Sequence, residues 1–174
     1  MIRVPACLVL LLLLLLSVTG CGYHTAGRAS ILPSNLRTVA VPAFLNHTTT
    51  FKIEQTLTAA VVQELNTRTR YHVVSDPGSA DATLRGTVLA AVATPLTYDT
   101  ATGRASTVLV VVSMEVVLSD AKGRVLYQNA SYVFREQYQV SQQLSTFFEE
   151  DSPAFRRLSG DFARTLVSNI LEGF

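Results

Sequence analysis

From Ala105 to Leu118 the chain alternates with a period of two. Val108, Val110, Val112, Met114, Val116 and Leu118 fall on one side, and Ser113 and Glu115 on the other. That pattern fits a β-strand with one buried face, and the β-branched residues in it suit a pleated surface. The neighbouring segments repeat the theme. Ala82 to Tyr98 reads as a long strand with Leu84, Val88, Ala90 and Val92 on one face and Arg85 and Thr87 on the other. Pro95, which cannot donate to a ladder, marks a bend or bulge in it. Asp99 to Arg104, containing Gly103, makes a hairpin turn into the Ala105 strand. Asp120-Ala121-Lys122-Gly123-Arg124 makes the next one, with Gly123 able to take positive φ. Val125 to Tyr138 follows as a third long strand with less regular alternation.

The flanking segments supply helices. Thr38 to Phe44 reads as a short strand that is an edge or ends near Pro42. Asn46-His47-Thr48-Thr49-Thr50 is turn-rich and offers helix N-caps. In Phe51 to Arg68, Ile53, Leu57, Val61 and Leu65 recur every four residues and mark one apolar helix face. Glu54 in the first turn and Arg68 and Arg70 at the end suit the helix dipole. Tyr71 to Ser75 is a short strand, and Asp76-Pro77-Gly78 a turn. Ser152-Pro153 opens a second helix, whose stripe is Phe155, Leu158, Phe162, Leu166 and Ile170. Two amphipathic helices and an antiparallel meander predict an α+β fold. The expected arrangement is a two-layer sandwich, both helices on one face of a mostly antiparallel sheet and the other face freer for a partner.

The first twenty residues belong to a different category. Arg3 precedes an apolar run, Leu8 to Leu16, that includes seven consecutive leucines. Nine helical residues span roughly 13 Å, under half of a hydrocarbon core of roughly 30 Å. The run is therefore the length of a signal-peptide core. Val18-Thr19-Gly20-Cys21 resembles the bacterial lipobox. The resemblance implies cleavage before Cys21, diacylglyceryl transfer to its sulfur, and acylation of the new α-amine. Gly22, in place of an Asp-type retention signal, implies delivery to the outer membrane. Cys7 would leave with the leader, so the product would hold no free thiol and no disulfide. The expected organisation is a signal peptide over 1–20, a lipidated tether over 21–37 with Gly22, Gly27, Pro33, Ser34 and Asn35, and one domain over 38–174.

Without Arg3, thirteen basic residues balance thirteen acidic ones. A neutral chain argues against a general nucleic-acid binder, whose affinity depends on clustered cations. No catalytic constellation emerges. His24, His47 and His72 lack metal spacing, and the chain carries neither a phosphate loop nor a nucleophile elbow. Glu149-Glu150-Asp151 reads as a solvated run at a helix start. No enzyme, cofactor or metal is expected.

Taken in order, several pieces resemble the LPS-assembly lipoprotein LptE family. They are Cys21-Gly22-Tyr23-His24, Val39-Ala40-Val41-Pro42-Ala43-Phe44 with Asn46 and Thr48, and Ile53-Glu54-Gln55 with Leu57 to Val61 and Glu64-Leu65. Val74-Ser75-Asp76, Ala80 to Val88, and the Asp120-Lys122-Gly123-Val125-Leu126 hairpin with Arg135-Glu136 and Tyr138 complete the series. The resemblance implies a two-layer α/β fold and a partner, the β-barrel translocon protein LptD, which such a lipoprotein plugs and helps assemble. It also implies contact with lipopolysaccharide through basic residues near a sheet edge or loop. Arg85 on the outward strand face, Arg104 at one hairpin tip, and Lys122 and Arg124 at the other are the candidates, since lipid A phosphates suit Arg and Lys. The alternative is an accessory lipoprotein of another envelope secretion or transport complex. Those proteins share a Val-Ala-Val strand, a Thr-rich turn and an amphipathic helix.

Overall fold

The computed structural model describes residues 32–33, 35–139 and 153–172. The leader, Cys21, most of the expected tether, the acidic run and Ser152 lie outside the described residues. The elements are β1 (Thr38–Ala40), β2 (Leu45–Asn46), α1 (Ile53–Arg68), β3 (His72–Val74), a 3-10 turn at Pro77–Ser79, β4 (Ala82–Tyr98), β5 (Ala105–Asp120), β6 (Val125–Gln139) and α2 (Pro153–Glu172). The fold is α+β, with two helices and a mixed six-stranded sheet among the described residues.

The sheet runs β3-β1-β4-β5-β6, and β2 adds to β4 beyond the end of β1. β4, β5 and β6 form the expected antiparallel meander. The remaining pairings are parallel: β1 with β3, β1 with β4, and β2 with β4. Parallel neighbours need a crossover, and α1 provides the one between β1 and β3. β1 ends at Ala40, just before Pro42, and lies between β3 and β4 rather than at an edge.

The even-numbered residues of β5 from Val108 to Leu118 are all buried, as their period demands. They share one core with Ile53, Leu57, Val61 and Leu65 of α1 and with Phe155, Leu158, Phe162, Leu166 and Ile170 of α2. Phe162 anchors it. Its ring meets those of Phe134 at 4.9 Å, Tyr132 at 6.3 Å and Phe44 at 6.5 Å, each edge to face. Such pairs add about 0.5–1.5 kcal/mol beyond area burial. The two helices also meet through polar groups, as Arg68 donates to Ser168 Oγ at 2.9 Å. An ion pair between Arg157 and Glu136 at 3.0 Å ties α2 to β6.

Two details depart from the sequence expectations. Val92 does not share a face with Leu84 and Val88; it is 53 % exposed. The register steps from Val88 opposite Met114 to Ala90 opposite Ser113, so Leu89 is an extra residue. One bulged residue exchanges the two faces of everything beyond it. Ala91, which pairs with buried Val112, takes the inward place instead, and Ala90 and Val92 turn outward. A second shift, between Pro95 and Thr97, is where Pro95 predicts one.

The N-cap of α1 is also different. It is Lys52, at φ 55°, with no side-chain cap. The Asn46 to Thr50 stretch spends its polar groups on its own turn. Asn46 Oδ1 accepts from the Thr48 N–H at 2.9 Å, and Asn46 Nδ2 donates to the Thr50 carbonyl at 2.8 Å and to Glu54 Oε2 at 2.9 Å. Local side-chain bonds of this kind compete with capping.

Candidate functional site

Each hairpin that carries a candidate cation is organised by an aspartate. At the β4–β5 turn, Asp99 Oδ1 accepts from the N–H groups of Thr102 at 2.7 Å and Ala101 at 3.0 Å. Gly103 takes φ 68°, a conformation that favours glycine. The Thr102 N–H is the main reason that the Asp99 carboxyl sits below the usual carboxylate range. At the β5–β6 turn, Asp120 Oδ1 accepts from Arg124 N–H at 2.8 Å and Lys122 N–H at 2.9 Å, and Oδ2 accepts from Arg124 Nε at 3.1 Å. Gly123 takes φ 82°. Asp120 is likewise held low, chiefly by the Arg124 N–H.

The structure places the four candidate cations in two groups. Ala82 pairs with Asp120, and Tyr98 pairs with Ala105. The two hairpin tips therefore stand at opposite ends of β5, whose sixteen residues span about 50 Å. Arg104 is exposed at one tip, and Lys122 and Arg124 are exposed at the other. Arg85 is exposed in β4 three residues past Ala82, opposite Val117 on the outward side, and so lies toward the Lys122 end. A single headgroup cannot bridge the two groups.

At the Lys122 end the chain forms a cavity of about 400 Å³. One wall is the β5–β6 turn, with Asp120, Lys122 and Arg124; the other is Pro33, Asn35 and Leu36, with Asp81 beside them. Leu32 and Leu36 are buried and fasten this segment to the core. Asp81 is a second hub. Its Oδ2 accepts from the N–H groups of Thr38 at 2.8 Å and Arg37 at 2.9 Å, which hold the carboxyl low, Arg37 contributing most. The Asp81 carbonyl accepts from the Ala121 N–H at 3.0 Å, joining the two walls. Sequence reasoning found the cations but not these partners. Asp120 carries a local signal, an aspartate two residues before Lys122 in a glycine turn. Asp81 carries none, because its partners are more than forty residues away.

Among the described residues no group of three or more His, Cys, Asp or Glu could hold a metal ion. No helix among them is long and apolar enough to cross a membrane.

These features define a class: an α+β domain with, among the described residues, two helices and a mixed sheet, with cations at both hairpin turns and a charged cavity at one end. The family described as LptE, lipopolysaccharide-assembly, matches residues 36–170, most of the chain. The chain belongs to the LptE family. Among solved structures, the fold is similar to the uncharacterized lipoprotein B from Nitrosomonas europaea, at 15% identity and TM-score 0.53, covering 86% of this chain and 90% of that one. It is also similar to the hypothetical protein CT253 from Chlamydia trachomatis, at 9% identity and TM-score 0.51, covering 80% and 97%. No curated protein matches the chain by sequence.

Proposed function

We propose that this chain is a non-catalytic lipoprotein of the outer membrane, anchored through lipid on Cys21, that plugs an LptD-like β-barrel, assists its assembly and contacts lipopolysaccharide during transport. The observation that carries the reading is the family match over 36–170. The lipobox ahead of it supplies the anchor, with 1–20 as leader, 21–37 as tether and 38–174 as the working domain. Both helices cover one side of a two-layer sandwich in this reading, because their stripes share a single core with the even-numbered residues of β5. The other side then meets the barrel lumen, which is polar in such barrels. Thr87 pairs with Glu115 on that side, and Ser113 and Arg85 lie along it.

Lipopolysaccharide phosphates are met at two separate places, by Arg104 at one tip and by Arg85, Lys122 and Arg124 toward the other. Bidentate Arg contacts to phosphate are the strong ones. Depleting the protein tests the reading. The barrel is expected to accumulate misassembled and surface lipopolysaccharide to fall. Normal barrel assembly with normal surface lipopolysaccharide would end it.

A further inference from the structure

We propose that the cavity between the β5–β6 turn and the wall of Pro33, Asn35 and Leu36 seats the zwitterionic phosphoethanolamine headgroup of a phospholipid, with the phosphate on Lys122 and Arg124 and the ammonium on Asp81. The proposal gives Lys122 and Arg124 a second phosphate ligand, exclusive with the lipopolysaccharide phosphate of the proposed function, and its placement near a bilayer rests on the lipid anchor at Cys21.

Charge carries the argument. Two cations and two carboxylates line one space of about 400 Å³, the size range of small-ligand pockets. A site for a bare anion gains nothing from the carboxylate of Asp81 beside it, whereas a headgroup with both signs does. The hydrogen bonds say which groups are free to act. The Lys122 ammonium has no partner among the described residues. Arg124 gives Nε to Asp120 and keeps its terminal nitrogens. Both Asp120 oxygens are engaged by the turn itself. Asp81 has both its backbone donors on Oδ2, which leaves Oδ1 to accept an ammonium proton.

Order and place support the same ligand. The turn is fixed by Gly123 and Asp120, so the cations stand on a preformed frame, which lowers the cost of binding. Leu36 and Leu126 line the space beside the charges and offer an apolar wall to the start of an acyl chain. Leu32, next to that wall, is eleven residues past Cys21, a reach of at most about 40 Å. An anchored Cys21 therefore puts this end within that distance of the bilayer surface.

The test is an NMR titration of the full chain in a phosphate-free, non-ionic detergent, following the amides of Leu36 and of Ala121 to Arg124. The probes are O-phosphoethanolamine, short-chain phosphatidylethanolamine, propyl phosphate, inorganic phosphate and short-chain phosphatidylglycerol. Both ethanolamine probes are expected to shift these amides saturably, the lipid more tightly than the free headgroup. Propyl phosphate, which lacks the ammonium, is expected to bind at least about tenfold more weakly, the worth of one charge-assisted bond. Lys122→Ala is expected to weaken phosphatidylethanolamine about tenfold, and Asp81→Asn to abolish its advantage over phosphatidylglycerol. If Asp81→Asn unfolds the corner, the propyl phosphate comparison still decides the ammonium contact. Equal binding of phosphatidylglycerol or inorganic phosphate would overturn the proposal, as would no response to the ethanolamine probes. Tighter binding of the free headgroup than of the lipid would overturn the phospholipid assignment. The mass of the same sample reports the state of Cys21 separately, so a missing anchor and an empty cavity are distinguishable.

Discussion

Gly86→Ala separates the packing seen here from what strand rules alone would say. Gly86 lies on the inward side of β4, and its φ is not in the left-handed region. On backbone grounds alanine there should stabilise by about 0.4–1 kcal/mol, because it restricts the unfolded chain. The structure says the opposite. A Cβ on residue 86 would stand 2.8 Å from Phe44 Cγ and 2.9 Å from its Cδ1 and Cδ2. Real Cβ atoms do not approach a ring so closely, and the ring has little room to leave. Phe44 is buried, its N–H is held by Thr58 Oγ1 at 3.0 Å, and its ring also meets that of Phe162. Overpacking of this kind costs about 1–3 kcal/mol. Offsetting the backbone gain leaves a net loss of up to about 2.6 kcal/mol, or up to about 10 °C in Tm for a domain of this size. Urea melts with paired thermal scans would measure it. Phe44→Leu is destabilising alone but should make Gly86→Ala close to harmless, so the double-mutant cycle should show a coupling above about 0.5 kcal/mol. A Gly86→Ala that stabilises the native background by the full backbone gain, with no coupling to Phe44→Leu, would refute the contact.

Three further outcomes follow from other parts of the fold. Val92→Thr should change stability by less than about 0.5 kcal/mol while Ala91→Glu should cost several times that, because the Leu89 bulge turns residue 92 out and 91 in; chemical denaturation of both variants checks the register. Phe162→Ala should cost about 3–5 kcal/mol by removing the ring on which Phe44, Tyr132 and Phe134 converge, read as a lowered denaturation midpoint. Asp81, Asp99 and Asp120 all have carboxyl pKa values lowered from 3.8, so the folded form binds fewer protons than the unfolded form in the acid range. Their contribution is present above the unfolded value and lost as pH falls through the lower folded ones. Thermal scans below about pH 4 should show a falling Tm whose slope Asp120→Asn makes shallower.

How much of this was legible in the sequence depended on the range of the interaction. The β5 alternation, the α2 stripe from Phe155 to Ile170 and the Gly103 and Gly123 turns are local patterns, and the structure follows them. The bulge at Leu89 is not local. Nothing in Val88-Leu89-Ala90 marks it, and it falls just past the place where β2 ends opposite Val88. The parallel placement of β1 between β3 and β4 is similarly long-range, since three residues with a nearby proline carry no pairing information. The site divides in the same way. Lys122 and Arg124 were visible as cations on a glycine turn. The cavity that gathers them was not, because its other half comes from Pro33, Asn35 and Leu36 and from Asp81, brought together by burial of Leu32 and Leu36.

Placing a photo-crosslinking amino acid at Ser113, on the outward side of β5, tests the central claim most directly. In the intact envelope it should give an adduct with an LptD-like barrel, and the same probe at Val112, in the core, should give none. A folded, membrane-associated protein whose residue 113 yields no barrel adduct, or captures a different envelope complex, would contradict the account.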